Sequence, residues 1–222
     1  MTTAMIIFVI AYMAVTVAYL FSETSGVFKR RAINKIFLAS MFLVYAIVET
    51  VNHGDFSELP ILFLVGIFFS WVGDVGLLWS FSKGGAAFAV GNVILFIYEI
   101  KYVTAHGLAL SAYWWFLIVF ALLLGMFISL QRIGWLELGK MKIMFTVYIC
   151  TVTLHGTLGI AGLILLHDVK SILLCAGLLL FMVSDYFITL HKFKYKESKA
   201  ILRCNSFTYF TGLLLAVLSI SF

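Results

Sequence analysis

Two aspartates, Asp74 and Asp185, stand inside long apolar stretches and are separated by half the length of the chain. An ionisable side chain in lipid costs several kcal/mol unless it is paired or hydrated, so each is a candidate functional residue. Two neighbouring carboxyl groups can divide general-acid and general-base roles, because close like charges do not both ionise readily. The alternative is that each carboxyl group only accepts hydrogen bonds between packed helices.

Other polar residues are expected at about the depth of these aspartates, about 10 Å from one end of the bundle at 1.5 Å per helical residue. Ser70 lies one helical turn before Asp74 and shares its face, and Ser184 immediately precedes Asp185. We expect a polar cavity whose substrate-binding residues are Lys35, Ser70, Asn92, Tyr148, Ser184, Asn205 and Tyr209. For any single helix face, ordinary packing is the alternative.

The composition specifies the kind of element that must position these residues. Apolar residues make up 64% of the 222 residues and charged residues only 11%, whereas a soluble domain has about a quarter charged residues. A soluble enzyme and a disordered chain are therefore excluded. The composition predicts an all-α polytopic membrane protein, with residues 1–222 forming a single transmembrane domain.

A spanning helix needs about 20 apolar residues. The apolar runs between charge clusters predict eight helices, near 3–21, 33–52, 60–80, 84–104, 112–131, 141–165, 168–190 and 203–222. The first and fifth contain no interior charge and are expected at the periphery. The other six are expected to enclose the cavity.

The distribution of basic residues predicts the orientation in the membrane. Of the 15 Lys and Arg, all except Lys101 and Lys170 fall on one side of the predicted helices. Because Lys/Arg-rich short loops stay in the cytoplasm, both termini should be non-cytoplasmic. The net charge of +5 is interpreted as an orientation signal and an attraction to anionic lipids, not as nucleic-acid binding.

The sequence also contains two similar triplets, Val72-Gly73-Asp74 and Val183-Ser184-Asp185. They suggest that the chain is a parallel repeat of two four-helix halves, with coincidence as the alternative.

The remaining ionisable residues have ordinary interpretations. Glu49 and Glu99 lie near predicted helix ends and are expected to reach the interface. His155 has no second ligand at metal-binding spacing, so we interpret it as a hydrogen-bonded core histidine. The three cysteines are expected to be free thiols. No metal or cofactor is expected.

Two segments carry a resemblance to a known family. The stretch Phe69-Ser-Trp-Val-Gly-Asp74-Val-Gly-Leu-Leu78 with Phe88-Ala-Val-Gly91 resembles the first signature of the YhhN-like lysoplasmalogenase family. The stretch Gly177-Leu-Leu-Leu-Phe-Met-Val-Ser-Asp185 with Thr208-Tyr209 resembles the second. The chain departs from the family pattern at Asn92, where histidine is usual, at Gly212, where glutamine is usual nearby, and at Ile36, which replaces a proline.

The resemblance implies an intramembrane hydrolase that cleaves the vinyl-ether bond of lysoplasmenyl-choline or lysoplasmenyl-ethanolamine without a metal. The products are a fatty aldehyde and a glycerophospho-base. Protonating the outer alkene carbon leaves an oxocarbenium ion that water attacks, as in glycoside hydrolysis. Asp74 and Asp185 would be the acid/base pair, Asn92, Tyr148 and Tyr209 would orient water or glycerol, and Lys35 would hold the phosphate.

Two other functions stay open at this point. Paired intramembrane carboxyl groups also serve proton- or cation-coupled transporters of small molecules or lipids, which would move ions and leave lipids unchanged. A catalytically inactive family member would bind lysolipid and release nothing. The expected partners are a lysophospholipid or ether lipid and the surrounding membrane lipids. The expected location is the bacterial plasma membrane, with the endoplasmic reticulum as the alternative.

Overall fold

The computed structural model describes residues 3–222, without the side chain of Leu110, and these residues contain helices and no strand. The first two residues of the predicted domain lie outside this range. The α-helices are α1 (Thr3–Glu23), α2 (Phe28–His53), α3 (Glu58–Leu77), α4 (Phe81–Ala105), α5 (Leu110–Tyr113), α6 (Phe116–Arg132), α7 (Lys142–Leu165), α8 (Val169–Phe193) and α9 (Lys199–Leu218). Short 3₁₀ turns precede α7 and follow α9.

Seven of the described helices are long and apolar enough to cross a membrane, namely α1 to α4 and α7 to α9. The chain is therefore an integral membrane protein. The predicted helix over 112–131 is divided in the structure: α5 ends at Tyr113, and α6 is a shorter apolar helix of 17 residues. Large apolar side chains such as Ile7, Leu122 and Ile143 are exposed on the outer surface, as contact with lipid requires.

Local sequence signals fix several helix ends. The side chains of Ser80, Asp168 and Ser198 each accept a hydrogen bond from the backbone N–H three residues further on, so α4, α8 and α9 begin with capped amides. The helix α2 is followed by Gly54, whose φ of 63° places it in the left-handed region that glycine adopts without strain. The positions of these helix ends determine how deep in the bundle each polar residue lies.

The most extensive helix contacts join α3 to α4 and α8 to α9, and α7 packs against both α4 and α8. Glycines allow the close approach of α8 and α9. A Cβ at Gly177 would lie 2.5 Å from the Gly212 carbonyl oxygen, and one at Gly212 would lie 2.6 Å from the Gly177 carbonyl oxygen. Gly212 therefore serves backbone packing, which leaves no room there for a glutamine side chain.

The two helices predicted to be peripheral differ in the structure. The main contacts of α6 are with α7, which fits a position at the edge of the bundle. By contrast α1 packs against α2 and α9, and the buried Tyr12 hydroxyl donates a hydrogen bond to the Phe210 carbonyl oxygen at 3.1 Å. The prediction that only the other six helices enclose the cavity was wrong, because it counted charges and overlooked the polar face of α1 at Tyr12, Thr16 and Tyr19, all of which are buried.

Candidate active site

A cavity of about 620 Å³ opens at the end of the bundle where α1, α3 and α8 end and where α2, α4, α7 and α9 begin. Asp74 and Asp185 both line it. The aspartates come from α3 and α8, which run in the same direction, and each lies close to the C-terminal end of its helix. Two carboxyl groups that are distant in sequence therefore share one space.

Asp74 is almost fully buried, with 1% of its side chain exposed, and both of its oxygens have partners. The ammonium nitrogen of Lys35 lies 3.2 Å from Oδ1. The Tyr209 hydroxyl donates to Oδ2 at 2.7 Å. A buried carboxylate needs this combination of an opposite charge and a hydrogen-bond donor, because either oxygen left alone would lose its hydration without replacement.

Asp185 is also buried, but its surroundings differ. The Tyr148 hydroxyl faces its carboxyl group, and Oδ2 has no hydrogen-bond partner among the described residues. No lysine or arginine in the described part of the chain forms an ion pair with it. The two aspartates of the cavity thus present different chemistry, one compensated by a cation and one not.

The other residues predicted to bind substrate fall into two groups. Lys35, Tyr148, Asn205 and Tyr209 line the cavity. Ser70, Asn92 and Ser184 are fully buried away from its lining.

The two serines are turned back onto their own helices. The Ser70 hydroxyl donates to the Gly66 carbonyl oxygen at 3.1 Å, and the Ser184 hydroxyl donates to the Phe181 carbonyl oxygen at 2.7 Å. This local bonding is a common alternative for serine in a helix, and it means that packing explains these two positions better than substrate contact does. The Asn92 amide nitrogen and oxygen have no partner among the described residues.

The helix α1 contributes two cavity residues that the sequence analysis overlooked, Tyr19 and Glu23. The Glu23 carboxylate accepts hydrogen bonds from the Tyr19 hydroxyl at 2.9 Å and from the Ser206 hydroxyl at 2.8 Å. Glu23 is the last residue of α1, and no sequence motif singled it out. The buried polar face of α1 was the signal that could have placed it.

The cavity combines charged and apolar surfaces. Arg31, His191 and Lys192 line it together with the carboxyl groups, and the Lys192 ammonium lies 4.6 Å from the centre of the Phe81 ring. Apolar side chains complete the wall, including Leu77, Leu78, Phe81, Met144, Phe145, Val147 and Ile188. An amphiphile with one long chain and a charged head group matches this surface. Among residues 3–222, no three His, Cys, Asp or Glu side chains are grouped to hold a metal ion.

The fold and the cavity define a class, a polytopic α-helical membrane protein with two buried carboxyl groups in a charged cavity at one end of the bundle. The YhhN family model matches residues 30–220, so the chain belongs to the YhhN family. This confirms the resemblance carried by the segments around Asp74 and Asp185. The match extends from the first turn of α2 through α9, and thus covers the whole cavity lining except Tyr19 and Glu23. Neither the comparison with curated proteins nor the comparison with solved structures gave a match.

Proposed function

We propose that the protein is a lysoplasmalogenase-type hydrolase that cleaves a vinyl-ether bond inside this cavity. Membership of the YhhN family supports this type of function. The observation that carries the proposal is the unequal pair of aspartates in one cavity, with Asp74 held by Lys35 and Tyr209 and Asp185 lacking a cation. Vinyl-ether hydrolysis needs a proton donor and is helped by a negative charge that stabilises the cationic intermediate, and this pair can supply both.

The partners of each aspartate support one division of the two roles. Asp185 keeps its proton, because no cation compensates a charge on it, and it donates this proton to the outer alkene carbon of the substrate. The resulting oxocarbenium ion is stabilised by the negative charge of Asp74. Water adds to the cationic carbon and gives its proton to Asp74. The hemiacetal then separates into aldehyde and glycerol hydroxyl, and solvent returns the proton from Asp74 to Asp185.

The cavity wall provides the binding contacts. The apolar side chains between α3, α4 and α7 take the alkenyl chain, which enters sideways from the membrane. Lys35 is engaged with Asp74, so Arg31 and Lys192 are better placed than Lys35 to bind the phosphate. Glu23 receives two hydrogen bonds, and a carboxylate has about four acceptor positions. Its remaining acceptor positions suit the N–H donors of ethanolamine, and its negative charge attracts the trimethylammonium group of choline.

The basic residues around the cavity support one orientation in the membrane. With α6 as an eighth, short span, the Lys/Arg-rich end of the bundle faces the cytoplasm and both termini lie on the other side. The cavity then opens beneath the head groups of the cytoplasmic leaflet. The bacterial plasma membrane is the proposed location, and the endoplasmic reticulum is the second choice.

The test is to incubate the purified protein with a panel of lysolipids and to detect products by mass spectrometry. Lysoplasmenyl lipids should yield fatty aldehyde and glycerophospho-base, while the saturated alkyl-ether analogues should yield nothing, because they have no alkene carbon to protonate. Binding of lysoplasmenyl lipid with no product would contradict the proposal and favour an inactive lipid-binding protein. Substrate-dependent ion flux in proteoliposomes, with unchanged lipid, would instead favour a transporter.

A further inference from the structure

A second acidic group is buried in the bundle outside the cavity. The side chain of Glu99 on α4 is 2% exposed, and His155 on α7 is fully buried. The prediction that Glu99 reaches the membrane interface was wrong, because α7 packs against this face of α4. His155 is a core histidine, as predicted, but neither of its ring nitrogens has a hydrogen-bond partner among the described residues.

The pair lies deeper in the bundle than the cavity. His155 follows the cavity residue Tyr148 by two helical turns along α7, about 10 Å. Glu99 lies between Asn92 and the far end of α4 at Ala105. Neither Glu99 nor His155 lines the cavity. The pair therefore lies in the middle part of the membrane-spanning bundle and takes no part in the proposed hydrolysis.

The spacing between the two side chains is too long for a direct hydrogen bond. The distance from His155 Nδ1 to Glu99 Oε2 is 3.9 Å, whereas hydrogen bonds to nitrogen donors measure about 2.7–3.2 Å. Both carboxyl oxygens of Glu99 and both ring nitrogens of His155 lack partners among the described residues. Four unpaired polar atoms at one buried place are rare in native proteins, and the usual explanation is an ordered water molecule.

The surroundings also restrict the charge of the pair. The titratable groups near Glu99 are Tyr98 on its own helix, His155 on α7 and Cys175 on α8. In the described part of the chain, no lysine or arginine forms an ion pair with Glu99. A glutamate–imidazolium ion pair would need close geometry and further hydrogen bonds to offset the loss of hydration of both charges. At 3.9 Å and without such bonds, only a neutral pair is consistent with this site.

Gly159 allows α7 and α8 to approach closely beside the Glu99 carboxyl group. A Cβ at Gly159 would lie 3.1 Å from the Cys175 carbonyl oxygen and 3.6 Å from Glu99 Oε1. On another side, the Phe181 ring lies 5.6 Å from the His155 ring. The pair is thus enclosed by α4, α7 and α8.

We infer that Glu99 and His155 form a buried proton- and water-binding site. Glu99 carries a proton, His155 is neutral, and one water molecule joins the carboxyl group to Nδ1. The site binds one proton and one water molecule. The water molecule provides hydrogen bonds to polar groups in the middle of the bundle. This inference does not depend on the reaction proposed for the cavity.

Infrared spectroscopy of the full-length protein tests the inference. The spectrum of the wild type minus that of Glu99→Gln should show the C=O stretch of a protonated carboxyl group, and this band should shift in D₂O. Removing the histidine partner with His155→Phe should move the band to higher frequency. A carboxylate band in the difference spectrum, or a C=O band that does not respond to His155→Phe, would overturn the inference.

The water molecule requires its own measurement. In heavy-oxygen water, the wild type should show a shifted O–H stretch that is absent from the double variant Glu99→Leu/His155→Phe. The matched control is Glu49→Gln, because Glu49 is bonded to Ser221 in a different part of the molecule and should leave these bands unchanged. Identical isotope-sensitive O–H bands in the wild type and the double variant would show that no water is bound at the pair.

Discussion

Two buried acidic sites of the bundle differ in whether a cavity adjoins them. Asp74 and Asp185 line an open cavity, while Glu99 and His155 lie among packed helices outside it. The three carboxyl groups are similarly buried, with 1%, 6% and 2% of the side chains exposed. Burial alone therefore does not distinguish a reactive carboxyl group from a structural one. The two sites differ in an adjoining cavity, which only the aspartates line, and, for Asp74, in a cation that compensates a negative charge.

The largest expected effect separates the two sites by activity. Asp185→Asn and Asp74→Asn should each lower aldehyde release by about 10²–10⁴-fold, the usual contribution of a general acid or base. Glu99→Gln, which changes an equally buried acid, should retain wild-type activity. The measurement is the initial rate at saturating substrate, with size-exclusion chromatography to verify folding. Equal losses in all three variants would remove the distinction between the sites.

The second prediction concerns the cation beside Asp74. Lys35→Met leaves the buried carboxylate without its counter-charge, and breaking a buried pair in this way costs about 3–5 kcal/mol of stability. We expect a clear fall in thermal unfolding temperature in detergent together with loss of activity. Lys35→Arg, which keeps the positive charge, is the control and should retain most of the stability. An unchanged unfolding temperature in Lys35→Met would mean that the pair contributes little.

The third prediction concerns the Glu99–His155 pair. Glu99→Leu or His155→Phe alone leaves the remaining partner with unsatisfied polar atoms, a loss of about 1–3 kcal/mol for each variant. The double variant should be more stable than the sum of these losses predicts, because an apolar pair of similar volume leaves no polar group unpaired. Thermal unfolding of the wild type, the two single variants and the double variant measures this coupling. Strictly additive losses would show that the two side chains do not act together.

The smallest effect is expected at Glu23, at the edge of the cavity. Glu23→Gln keeps the hydrogen bonds from Tyr19 and Ser206 but removes the negative charge. It should raise KM for substrates with an ammonium head group by about tenfold, roughly 1.4 kcal/mol. Activity on an anionic head group should not fall. A uniform loss on both substrates would assign Glu23 to the packing of α1 against α9 instead.

Much of the fold could be predicted from the sequence, because charges are scarce and apolar runs are long. The helix predicted over 141–165 corresponds closely to α7 at Lys142–Leu165. The break before Phe116 could not be predicted, since the residues around it are as apolar and aromatic as those of a continuous helix. The bounds of a membrane-spanning helix were therefore predicted best where charged loops flank the apolar run.

The candidate site was harder to predict, because a sequence gives the position of a residue along a helix but not its partner. Ser70 shares a helix face with Asp74, yet its hydroxyl bonds back to Gly66. Glu99 lies near the end of its predicted apolar run, yet neighbouring helices cover it. Glu23 stands at a helix end and still enters the cavity, because α9 holds it through Ser206. These outcomes depend on helix rotation and packing.

The most direct measurement of the central claim is the reaction of a lysoplasmenyl lipid in D₂O, with immediate reduction of the aldehyde to prevent later exchange. If Asp185 protonates the outer alkene carbon, the product carries one deuterium on the carbon next to the former aldehyde group, and Asp185→Asn forms almost none of it. An aldehyde-derived product without deuterium, or deuterated product formed at the wild-type rate by Asp185→Asn, would contradict the account.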